Sequence, residues 1–161
     1  MNRVSSSDRK KTPHVTVLVA ALFLLSNCGD DILSPLLFQL RGAPTDITIA
    51  GVRLELEAAL YRDFMPSSHP DSRLGASVWV QATRWPLPRE LTIETVWVIL
   101  SDSVWTTSVQ EENRRSAVDV TVREGPEWPV GAVTDVVVHL VAADGEDFFL
   151  AARRKEIQAA F

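Results

Sequence analysis

Carboxylates lead the side chains that could do chemistry. Glu55 and Glu57 sit two apart in an alternating stretch, so a strand would put both on one face with Cα atoms about 6.5–7 Å apart. Paired carboxylates in glycoside hydrolysis use that broad range. A solvated strand face with alternating charges has the same pattern, and no apolar pocket is in view to raise one carboxyl for acid duty. The charged face is therefore the better reading, and an envelope hydrolase is the weaker alternative. Asp144, Glu146 and Asp147 gather at one turn and could offer oxygens to Ca²⁺, which needs six to eight of them. Three carboxylates fall short, so a solubilising turn is expected. The 3 histidines (His14, His69 and His139) and the 1 cysteine, Cys28, are too thin a supply for zinc. There is no Gly-x-Ser-x-Gly elbow, no phosphate-cradling glycine loop and no His-Glu-x-x-His. The expectation is no enzyme, no metal and no cofactor.

Aromatic residues are more suggestive, with 5 tryptophans in the chain. Trp79, Trp97 and Trp105 lie inside alternating runs, where a ring commonly fills the space between two sheets. Trp85 and Trp128 each precede a proline in turn-rich sequence, and an aromatic at a rigid loop tip could stack on a sugar ring or on a partner's side chain. The segment Arg62-Asp63-Phe64-Met65-Pro66 mixes charge with large apolar groups. Its expected task is to close one end of the core, with a ligand contact through Arg62 and Phe64 as the alternative. Candidate binding residues are thus Trp85, Trp128, Arg62 and Phe64.

The elements that must hold these residues are strands. In residues 52–60, Val52, Leu54, Leu56, Ala58 and Leu60 share one face, with Arg53, Glu55 and Glu57 on the other. Residues 74–85 set Ala76, Val78, Val80 and Ala82 against Ser77, Trp79, Gln81 and Thr83. Residues 91–100 become apolar on both faces after Val96, as in a strand covered on two sides. Further β-rich runs fall at 104–109, 117–123, 133–142 and 148–153, the last two joined by an Asp144-Gly145 hairpin turn. No long stretch has helical periodicity, and only residues 154–161 suggest a helical turn or frayed tail. About seven short strands between turn formers predict an all-β fold, an antiparallel two-sheet sandwich of immunoglobulin-like type. The stretch Gly125-Pro126-Glu127-Trp128-Pro129-Val130-Gly131, followed by Val136-Val137-Val138 and Asp144-Gly145, resembles the last two strands of bacterial immunoglobulin-like or fibronectin-type secreted modules. That resemblance brings no catalytic residues with it.

The amino-terminal segment sets the expected address. A cationic stretch containing Arg9, Lys10 and Lys11 precedes an apolar run over residues 15–25, the order of an export signal. Eleven helical residues cover about 16 Å, half of what a spanning helix needs. Leu25-Ser26-Asn27-Cys28 follows and resembles the lipobox of bacterial lipoprotein precursors, with Asn27 where that class usually has Gly, Ala or Ser. The resemblance implies a diacylglyceryl group on the Cys28 sulfur, cleavage just before it, and a membrane anchor. It also implies the outer rather than the inner membrane, because Gly29 replaces the aspartate that favours inner-membrane retention. The expected organisation is a signal peptide over 1–27, a lipidated tether over 28–44 whose Leu36-Leu37-Phe38 docks on the domain, and a sandwich over 45–161. Removing residues 1–27 from the 161 leaves 134, with 12 basic and 20 acidic side chains, a net charge of −8. So acidic a domain is a poor ligand for nucleic acid, and anionic lipid headgroups repel it, so attachment falls to the lipid. An envelope protein or a glycan is the expected partner.

Overall fold

Alternation builds the sheet. In the computed structural model, which describes residues 35–64, 73–87 and 90–161, β1 (Asp46–Ile49) leads into β2 (Val52–Asp63), where Val52, Leu54, Leu56, Ala58 and Leu60 are buried. Ala50 and Gly51 join them with positive φ angles of 46° and 76°, the backbone of a two-residue hairpin turn. Then come β3 (Leu74–Ala82), β4 (Leu91–Leu100), β5 (Ser103–Ser108), a short 3₁₀ turn (Glu111–Asn113), β6 (Arg114–Ser116) and β7 (Asp119–Val122). The chain closes with β8 (Val133–Ala142) and β9 (Asp147–Ala160). Gly145 turns between these two with φ 86°, where the Asp-Gly pair predicts it.

The hydrogen-bonded order is β5-β4-β8-β9-β2-β3-β7-β6, with β1 on β2. The fold is all-β, a curled sheet of nine strands instead of about seven, the two additional ones being β1 and β6, only 4 and 3 residues long. It is mixed instead of wholly antiparallel: β2 and β9 run parallel from Leu60↔Ile157 to Asp63↔Ala160. Residues 154–161 hold no helix, since β9 continues through them to Ala160.

A bulge lets β9 serve two partners. Between the pairs Val136↔Ala152 and Thr134↔Lys155, two β9 residues face only Asp135. Arg154 takes φ 55° there, and Asp135 holds the turn by accepting the Arg154 N–H at 3.0 Å and the Arg153 guanidinium at 3.1 Å. Past this bend Lys155 and Glu156 still pair with β8, and from Ile157 onward the strand runs beside β2.

Two apolar clusters result. The larger joins inward residues of β2, β3 and β7 to those of β4, β8 and β9, with Leu54, Val78, Val120, Val98, Val138 and Leu150 all buried. The smaller lies on the opposite face of β4, β8 and β9, where α1 (Pro35–Arg41) lays Leu37 and Leu40 against Trp97, Ile99, Val137 and Ala151. That cover is why β4 is apolar on both faces. Seven residues are too few for a helix to stand alone. Arg153 fixes the end of α1 by donating to the carbonyls of Leu40, Arg41 and Ala43 at 3.4, 2.9 and 2.7 Å, the favoured place for a cation.

Candidate functional site

Alternation sends the odd-numbered side chains of β3 to the outside of the sheet. One row runs across neighbouring strands there: Glu57 faces Trp79 and Trp79 faces Asp119, with Ser116 beside Asp119 on β6. Gln81 lies two residues along the same face. Past the end of β3 the chain bends back at residues 83–86, and Trp85, 58% exposed, closes over this row. The result is an open groove of about 420 Å³ lined by Trp79, Gln81, Trp85, Ser116 and Asp119 with Val80, Ala82 and Val118. The side chains of Gln81, Ser116 and Asp119 make no hydrogen bond or ion pair among the described residues. Two aromatic rings beside free amide, hydroxyl and carboxylate groups can stack on an apolar ring face and hydrogen-bond its polar rim.

Trp128 does not share this groove. Arg62, opposite Leu74 at the start of β3, donates to the Trp128 carbonyl at 3.2 Å. Trp85 lies beyond the other end of β3, and the nine residues of that strand span about 27 Å. Two loop tryptophans acting side by side are therefore not what the fold builds. Trp128 instead packs partly buried against the main core, while Arg62 lies 5.2 Å over the Phe64 ring and Phe64 stacks on Phe161 at 6.1 Å. Phe64 and Phe161 are 42% and 88% exposed and join neither apolar cluster, so this group sits on the surface instead of closing the core, the task expected of Phe64.

No protein-family model, no curated protein and no solved structure matches this chain.

The remaining candidates are dispersed. Glu55 pairs with Arg53 at 2.8 Å and Glu57 with Lys155 at 2.7 Å, so the two carboxylates answer different cations. Asp147 meets His139 at 3.1 Å, and Asp144 accepts the Glu146 N–H at 3.3 Å. Among the described residues no three His, Cys, Asp or Glu side chains are grouped to hold a metal ion. None of the described helices is long and apolar enough to cross a membrane. Cys28, His14 and His69 lie outside the described residues.

The interior role expected for three tryptophans holds unevenly. Trp105 packs against the main core, whereas Trp97 is buried beneath α1, on the other side of its sheet. Trp79 is half-buried on the outer face. Its signal was present in the sequence, because it alternates in phase with Ser77 and Gln81 and out of phase with Val78 and Val80.

Proposed function

We propose that this chain is a non-catalytic interaction module of the bacterial envelope, tethered through lipid on Cys28, and that the groove between Trp79 and Trp85 takes a carbohydrate. The observation that carries the ligand class is the groove's make-up: two tryptophans beside three polar side chains that have no partner among the described residues. A pyranose presents a C–H face for the rings and hydroxyls for Gln81, Ser116 and Asp119. The anchor reading rests on Leu25-Ser26-Asn27-Cys28 behind its short apolar run.

An immunoglobulin-like sandwich is the architecture we assign. In such domains strands A, B, E and D form one layer and C, F and G the other. β2, β3, β7 and β6 follow the first order, while β4, β8 and β9 follow the second with β5 added outside β4. A core drawn from both sets supports the same reading.

The test is a glycan array with the protein isolated from its own membranes, alongside its intact mass. Trp85→Ala and Trp79→Ala are expected to lower binding to a captured glycan about tenfold or more, the loss of one stacking anchor, while Trp128→Ala leaves it unchanged. Binding that survives both groove substitutions removes the carbohydrate assignment. A mass that retains Met1, or an unmodified thiol at position 28, removes the tether.

A further inference from the structure

The two ends of the strand path are built differently. At one end β6 is 3 residues long, carries Arg114 and Arg115, and meets β7 through a register shift. Shortness, charge and irregularity all blunt an edge against further pairing. At the other end β5 runs 6 residues as Ser103-Val104-Trp105-Thr106-Thr107-Ser108, without charge or proline and in unbroken register with β4. Val109 donates its N–H to Glu94 at 2.9 Å, so alternation along the extended chain turns the N–H and C=O of Val104, Thr106 and Ser108 away from β4. No backbone group among the described residues pairs with them.

We propose that this edge pairs with the same edge of a second copy of the chain, antiparallel about a twofold axis at Thr106. Outward groups then meet outward groups: Thr106 faces its own counterpart, and Val104 faces Ser108 of the second copy. A twofold axis sets each central residue against its like, which a neutral strand tolerates and a charged one does not. β6 in the same role would press arginine against arginine. The flanks set no like charges against each other. Asp102, with its side chain 81% exposed, pairs with Arg41. In this register it comes opposite the uncharged Gln110 of the second copy, at a groove whose lining mixes Arg115 and Arg123 with Glu112 and Glu124.

Sedimentation of the full chain in mild detergent, over a roughly hundredfold concentration range, tests the pairing. A reversible monomer–dimer equilibrium is expected. Thr106→Pro deletes an N–H that β4 does not use, and Thr106→Lys sets two ammonium groups face to face; each is expected to weaken dimerisation roughly 30-fold. Hydrogen exchange on the unaltered chain reads the same contact: the amides of Val104, Thr106 and Ser108 should slow as concentration rises, while those of Trp105 and Thr107 stay constant. A monomer at every concentration overturns the proposal. So does a dimer that both substitutions leave intact while those three amides exchange at a constant rate, or a native mass of one copy carrying a foreign peptide.

Discussion

Gly125 shows how much a single missing methyl can decide. Its N–H donates to the Leu74 carbonyl at 2.9 Å, and a Cβ at this position would lie 2.9 Å from both the Leu74 Cβ and the Trp105 ring. Both neighbours are held, Leu74 in the main core and Trp105 against it. Gly125→Ala is therefore expected to cost roughly 1–3 kcal/mol, the range for overpacking, read from the urea midpoint at constant slope. Gly75 is the contrast. A Cβ there would meet the far end of the Tyr61 ring at 2.7 Å, and that half-buried ring can move, so Gly75→Ala should cost less. At this scale Trp85 is exposed in its loop, whereas Phe64, expected to close the core, is 42% exposed and lies outside both apolar clusters. Trp79 departs from the interior role expected of it, because strand phase and not residue type decides which face it takes.

Among the elements, α1 is held at its carboxyl end by one side chain from β9. Arg153 reaches three carbonyls at its carboxyl end while also pairing with Asp135. Arg153→Ala removes the guanidinium from the Arg41 and Ala43 carbonyls and leaves the partly buried Asp135 carboxylate with the Arg154 N–H alone, at an expected cost of about 2–3 kcal/mol. Faster exchange of the amides in residues 38–43 would mark the helix as the first element to loosen. Arg153→Lys keeps the charge but not the planar fork, and should recover only part of the loss. β2, β3 and β7 are legible because apolar and polar residues alternate cleanly through them, and β4 and β8 because of their runs of β-branched apolar residues. α1 is not, since its apolar residues are too few to show a helical period. The end of β9 escaped for a different reason. Leu150 and Ala152 face the main core before the bulge and Ile157 faces it afterwards, so the extra residue shifts the phase from even to odd. A reading by strict alternation has to stop at Arg153.

At the scale of the whole molecule, β9 makes two ladders into one cooperative body. Ile157 is fully buried in the core that both ladders share. Ile157→Ala is expected to cost about 2–5 kcal/mol and to lower the thermal midpoint of a single transition. Two separated transitions would show the ladders melting independently. The sequence anticipated an all-β chain. It did not anticipate that the last strand would join both ladders, because pairing between residues almost a hundred positions apart leaves no local trace. That seam also has a direction. β2 and β9 lie side by side pointing the same way over Leu60–Asp63 and Ile157–Ala160. A pull on the amino end of β2 against the carboxyl end of β9 drags one strand lengthwise along the other. Their shared bonds then stretch together under shear, whereas a hairpin tugged at its open end unzips one rung at a time.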